Sequence, residues 1–151
     1  MKDTDVPRVD KADIVAGLRS LGLPSAAGVI VHSSLKSFGH VEGGAQTVVE
    51  ALIEVVTAAG TLLMPSFNHG AAFGKAGAGY YHPQETATTN GAIPDLFWRL
   101  PDVHRSLNPT HPFAAWGKHA RRYTENHHRT LTMGPESPLG LLQADGGFGL
   151  L

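Results

Sequence analysis

Between Ala27 and Phe67 the chain changes from apolar to polar and back in a rhythm that dictates a strand, a loop, a helix and a second strand. AGVIV, Ala27 to Val31, is a short β-branched run of the kind found in a strand covered on both faces. HSSLKSFGHVEGGA, His32 to Ala45, is a loop of small and hydroxyl-bearing residues. Ala45, Val48, Val49, Leu52, Ile53 and Val56 then recur at helical spacing, with Gln46, Glu50 and Glu54 turned away from them, which predicts a helix over about Ala45 to Ala58. Gly60 ends it, and TLLMPSF, Thr61 to Phe67, makes a second apolar strand. A helix between two buried strands is a βαβ unit, so the strands are parallel and the site of such a sheet lies at their carboxyl ends. The first N–H groups of the helix have no intrahelical partner and sit at the positive end of its dipole, an arrangement suited to an anion. Neither GxxxxGK[ST] nor a strict GxGxxG is present, so a plain connection is the competing reading.

The flanks extend this α/β pattern. Asp10 and Asp13, followed by Ile14, Leu18 and Leu21, read as a capped amphipathic helix that stops at Gly22 and Pro24. Residues 68–90, rich in Gly and Ala and without period, form a long loop of a length usually functional or mobile. A short helix is expected over Ile93 to Leu100, with Pro101 stopping it, then a short strand around Phe113 to Trp116. Lys118 to Glu125 and Pro138 to Ala144 read as further short helices. The last residues, GGFGLL, resemble the opening of another buried strand, from which a truncated protein is expected. The expected fold class is α/β, a mostly parallel sheet with covering helices, apparently truncated before the sheet is complete, and residues 1–151 are read as one domain.

Composition narrows the chemistry. At 151 residues with 42% hydrophobic content the chain can bury a real core. A formal net charge of -1 and the lack of a basic stripe argue against a nucleic-acid partner. The absence of cysteine excludes disulfides, thiolate metal sites and a cysteine nucleophile. No apolar run is long enough to span a bilayer and the N-terminus is too polar for a signal peptide, which gives cytoplasmic residence as the expectation. Nine histidines raise a metal-enzyme reading, but there is no HExxH, and the adjacent His127 and His128 would point in different directions. No metal is expected.

Four blocks in order carry a family resemblance: VHSSLKSFGHVEGGAQTVVEAL from Val31, GTLLMPSF from Gly60, GAIPDLFWRLPDVHRSLNPTHPFAAWG from Gly91 and GPESPLGLL from Gly134. Together they resemble the aminoglycoside 3-N-acetyltransferase family, also described as the antibiotic N-acetyltransferase family, over essentially the whole chain. The resemblance implies an α/β acyltransferase that moves acetyl from acetyl-CoA to the 3-amino group of the deoxystreptamine ring, and so antibiotic resistance. It implies that the loop matching His32, Ser33, Ser34 and Leu35 lies at the CoA pyrophosphate and pantetheine, in agreement with the anion site inferred above. It further implies that the segment matching Arg105 to His111 lies near the same cofactor. Arg105 is then a candidate phosphate partner, its fork able to take two phosphate oxygens, with Ser106, Thr110 and His111 as hydrogen-bonding or wall residues.

Structural alternatives stand beside each assignment. The serines could serve only the turn, Arg105 could be a surface ion-pair residue, and His111 could be a structural hydrogen-bonding histidine. The family's catalytic histidine resembles the second His of an H-x-x-x-N-T-x-x-H-x-x-E signature, which this sequence does not contain. The catalytic residue is expected beyond residue 151, and the alternative function is a non-catalytic CoA-binding remnant or half of a split enzyme needing a complementing chain. A homo-oligomer is also open. Acceptor recognition is thin, since residues 68–90 carry Glu85 as their only carboxylate and an aminoglycoside is a polycation.

Overall fold

Residues 7–151 of the chain are described by a computed structural model. A two-residue strand β1 (Arg8–Val9) leads into helix α1 (Lys11–Ser20). Asp10 caps that helix as the sequence predicts: its carboxylate accepts from the Asp13 N–H at 2.9 Å, and the Asp13 carboxylate accepts from the Asp10 N–H at 3.0 Å. Ile14, Val15 and Leu18 are buried, but Leu21, expected on the apolar face, caps the helix end and is 70% exposed. Gly22 takes a φ of 75° to turn the chain out.

The βαβ unit forms as expected, from β2 (Gly28–Val31) through β3 (His40–Val41) and helix α2 (Gly44–Val56) to β4 (Thr61–Pro65). Strands β2 and β4 are parallel, in the register Gly28↔Thr61, Val29↔Leu62, Ile30↔Leu63. The insertion of β3, which pairs in parallel with β1, was not visible in the sequence because each strand is two residues long. Beyond the long loop come α3 (Ala92–Phe97), β5 (His104–Arg105), β6 (Phe113–Gly117), α4 (Ala120–Thr124), α5 (Pro138–Ala144) and β7 (Phe148–Leu150).

The five-stranded sheet has the order β5-β6-β4-β2-β7. Strand β6 runs against both β4 and β5, and β7 runs with β2, so four strands share one direction and β6 opposes them. The sheet is thus mostly parallel, as the sequence implied. Alternation along the strands divides the core in two. Val29, Val31, Leu62 and Met64 face α1, α2 and α3, while Ile30, Leu63 and Phe113 face α4 and α5 through Tyr123 and Leu142. The terminal strand β7 pairs with β2 but is more exposed than the buried strand the apolar GGFGLL predicts, with Phe148 47% exposed.

One close approach fixes the geometry at the amino end of β4. A Cβ on Gly60 would lie 2.5 Å from the Ala27 carbonyl oxygen and 2.6 Å from that of Val56. Only glycine lets the end of α2 and the start of β4 come that near the β2 backbone.

Candidate functional site

The residues after β2 open a cleft of about 930 Å³ between that strand end and the helices α1 and α2. Its walls are mostly apolar: Ile14 and Leu18 from α1, Val48 and Leu52 from α2, and Val31 at the strand end. His32, Ser33, Ser34 and Ser37 bring polar groups from the loop, and Asp13 and Ser20 from α1. His32 continues the strand, donating its backbone N–H to the Leu150 carbonyl at 2.9 Å, and a 3-10 turn at Leu35–Phe38 then bends the chain away. Leu35 does not line the cleft and instead packs against the core beneath it.

The two serines are not used by the fold. Ser34 occupies the cap position of the 3-10 turn but makes no side-chain capping bond. Ser33 Oγ is buried in the cleft region with no hydrogen-bond partner. Turn-forming serines spend their hydroxyls on nearby backbone, and an orphaned buried hydroxyl costs free energy unless a water or ligand meets it.

The amino end of α2 contributes differently from the sequence expectation. Gly43 and Gly44 have φ of 77° and 62°, making the entry to the helix, and Thr47 Oγ1 donates back to the Glu42 carbonyl at 2.6 Å. None of residues 42–47 lines the cleft; α2 reaches it through Val48 and Leu52, one turn further on. The three intervening elements, the 3-10 turn, β3 and the Glu42–Gly43 turn, carry the helix start away from the strand end.

Arg105 to His111 form a second cluster at the same end of the sheet. Strand β5 is three steps from β2 in the sheet order, roughly 14 Å at the usual strand spacing. The Arg105 guanidinium donates to the main-chain carbonyls of Ser66 (2.8 Å), Pro83 (3.2 Å) and Thr86, and lies over the Trp98 ring at 4.3 Å. Burial holds its pKa below the ordinary arginine value, with the Tyr81 ring partly opposing that shift. Burial likewise pushes the Tyr81 phenol up to about 12, and its O–H donates to the Ser106 carbonyl at 2.8 Å.

Ser106 is fully enclosed. Its Oγ accepts from the Phe113 N–H at 2.9 Å and lies 2.8 Å from His127 Nδ1. His127 Nε2 faces the Thr132 carbonyl at 2.9 Å, so that nitrogen carries the proton and Nδ1 accepts from the serine hydroxyl. Burial lowers the His127 pKa, the Thr132 carbonyl opposing, so the site favours the neutral ring. Nothing in the sequence foretold this pair, which are 21 residues apart and joined only by the fold.

Thr110 Oγ1 meets His111 Nδ1 at 2.8 Å, and the His111 N–H donates to Asn108 Oδ1 at 2.9 Å. The His111 ring packs on Phe67 (4.9 Å between centroids) and on His69 (5.5 Å). The Thr110 carbonyl in turn accepts from the N–H groups of Asn68 and His69. Two histidines therefore meet where β4 ends and β6 begins, a pairing legible only once residues 68–90 fold back over the sheet. Among the described residues no group of three or more His, Asp or Glu side chains could hold a metal ion, and no helix is long and apolar enough to cross a membrane.

Comparison with known proteins assigns this arrangement. The chain is 37% identical over its whole length to the SPbeta prophage-derived aminoglycoside N(3')-acetyltransferase-like protein YokD of Bacillus subtilis (strain 168), of which it spans 62%. It superposes on AAC-IIIb in binary complex with CoASH with a TM-score of 0.81 at 26% identity, covering 93% of this chain and 58% of that one. It superposes on AAC-VIa bound to sisomicin with a TM-score of 0.82 at 29% identity, covering 93% and 58%. The chain thus spans about three fifths of the length of these relatives. The sequence profile of the aminoglycoside 3-N-acetyltransferase family matches residues 30–151, the whole stretch from the cleft strand through the Arg105 cluster, and the chain belongs to that family.

Proposed function

We propose that this chain supplies the acetyl-CoA-binding part of an aminoglycoside 3-N-acetyltransferase, an activity that moves acetyl from the thioester to the 3-amino group of the deoxystreptamine ring and so confers antibiotic resistance in the cytoplasm. The observation that carries this reading is the pair of unspent hydroxyls of Ser33 and Ser34, at the rim of an otherwise apolar cleft at a strand's carboxyl end. Nonpolar walls with a few convergent polar groups suit the long amphiphilic arm of acetyl-CoA. His32, Ser33 and Ser34 meet it directly, while Leu35 packs into the core behind them. Related proteins solved with CoASH and with sisomicin support both the cosubstrate and the class of acceptor.

Attack on the thioester needs a neutral amine, so a base must take a proton at or before attack, and a donor must meet the oxygen as charge develops. This chain's part is to hold the thioester: the serine hydroxyls anchor the arm, and the apolar walls exclude water from it. Ser106, Thr110 and His111 shape the far side of the sheet end. A second reading is acetyl-CoA binding without catalysis unless a complementing chain is added; the chain spans about three fifths of the length of its relatives. The test is incubation of the chain with acetyl-CoA and sisomicin, followed by mass spectrometry. A product heavier by one acetyl group supports the full activity. Bound acetyl-CoA without product supports the second reading.

A further inference from the structure

We infer that Ser66 belongs to the acetyl-CoA site: its hydroxyl and that of Ser33 form a pair of donors, between the carboxyl ends of β2 and β4, for one carbonyl oxygen of the cosubstrate's arm. The ligand rests on the function proposed above; the pairing of the two hydroxyls rests on the sheet. Both strands run on past their last shared register pair, Ile30↔Leu63. β2 is carried to His32 by the bond of that residue's N–H to the Leu150 carbonyl at 2.9 Å, and β4 to Ser66 by the bond of its N–H to the Pro112 carbonyl at 2.9 Å. Ser34 is still extended, with φ of -130° and ψ of 114°. Continued over three more residues, the parallel register sets Ser33 opposite Ser66. Side chains two apart on a strand share a face. Ser33 therefore follows Val31, and Ser66 follows Met64, on the face that packs against α1, α2 and α3 and carries the cleft.

Neither hydroxyl is used by the fold. Ser66 is fully buried and its backbone is spent, the N–H on Pro112 and the carbonyl on Arg105 Nη2 at 2.8 Å, yet its Oγ has no partner. The same holds for Ser33 Oγ, and among the described residues Arg105 Nε is the one other buried side-chain atom left so. Two orphaned hydroxyls at one level of neighbouring strands are costly unless a ligand atom meets them. Pro65 keeps the strand ends apart. Thr61 turns its N–H toward β2, bonding the Ala27 carbonyl at 3.0 Å, and the alternation of a strand gives positions 63 and 65 the same direction. At position 65 stands a proline, which has no N–H to give, so the ladder between β2 and β4 stops short of the serines. Parallel strands lie about 4.8 Å apart, too far for the two hydroxyls to bond each other. At that spacing one oxygen between them can accept a bond of about 2.7 Å from each, and a carbonyl oxygen has two lone pairs for the purpose. Ser33 lines the cleft and Ser66 lies one strand step behind it, so the arm reaches the pair from the Ser33 side with its carbonyl turned inward.

The experiment titrates the wild-type chain, Ser33→Ala, Ser66→Ala and the double variant calorimetrically with acetyl-CoA and with CoASH, and follows the chemical denaturation of each chain without ligand. Removal of an unpartnered hydroxyl should leave Ser66→Ala as stable as wild type. Its affinity for acetyl-CoA should nevertheless fall at least about fivefold. The double variant should lose less than the product of the two single losses, because an oxygen released by one hydroxyl is no longer held against the other. If the carbonyl is that of the thioester, the affinity of Ser66→Ala for CoASH stays within about twofold of wild type; if it is an amide of the pantetheine arm, CoASH weakens together with acetyl-CoA. Unchanged affinities in Ser66→Ala beside a weakened Ser33→Ala would overturn the inference and leave the proposed function standing. Unchanged affinities with a loss of stability would overturn it too, and show that Ser66 holds an internal water only. Single losses that simply multiply would overturn the shared oxygen. Binding of neither ligand by the folded wild-type chain would overturn the proposed function and the inference with it.

Discussion

Ser33 and Ser106 show how differently two buried serine hydroxyls can be used. Ser106 accepts from the Phe113 N–H and bonds His127, so Ser106→Ala leaves two buried polar groups unpaired and should cost about 1–3 kcal/mol in chemical denaturation. Ser33 Oγ has no partner, so Ser33→Ala should leave stability unchanged or slightly raised while weakening acetyl-CoA binding in calorimetry. A Ser33→Ala chain that loses stability and keeps its affinity would show the hydroxyl to be structural. His127 gives a pH signature. Burial holds its pKa below the ordinary histidine value of 6.5, so the unfolded chain takes up a proton before the folded one does. Its contribution is fully present above about pH 6.5 and is lost as pH falls toward the depressed value. Thermal melts between about pH 7 and pH 5 should show a fall in wild type that is shallower in His127→Gln. The serines of the cleft were legible in the sequence as residue types in a strand-to-helix loop. The service of Ser106 to His127 was not, because its partner comes from a distant turn.

At the scale of elements, the sequence was most informative where periodicity ran long. The α2 repeat placed a helix that differs from the observed Gly44–Val56 by one or two residues at each end, and Pro138–Ala144 was read at its true bounds. Two-residue strands such as β1, β3 and β5 carry no period and exist only through their partners. The same shortness misplaced the start of α2: its first turn was expected beside the strand end, and β3 with its flanking turns moves it off the cleft wall. Leu52 belongs both to the core and to the cleft, so Leu52→Ala should cost about 2–5 kcal/mol and also enlarge the cleft. Gly60→Ala tests the close approach of α2, β2 and β4. The added Cβ would meet two carbonyl oxygens at 2.5 and 2.6 Å, so a loss of roughly 2 kcal/mol or more is expected in urea unfolding. Near-neutral behaviour would mean that the backbone there yields.

Over the whole molecule, one sheet presents two features at the same end, a mostly apolar cleft lined in part by Ser33 and Ser34 and a turn held by the Arg105 guanidinium. The family resemblance implies that both lie near one cofactor, and the three strand steps between them, roughly 14 Å, are a span that a molecule of the length of CoA can bridge. Residues 68–90 carry Glu85 as their only carboxylate, already bonded by Tyr80, so this loop offers a polycation little to steer toward. The most direct test of the account is calorimetric titration of the chain with acetyl-CoA, with Ser33→Ala and Arg105→Lys in parallel. The account predicts saturable one-to-one binding that weakens in Ser33→Ala and survives in Arg105→Lys. A folded chain that does not bind acetyl-CoA, or one whose binding ignores Ser33 and fails with Arg105, would contradict it.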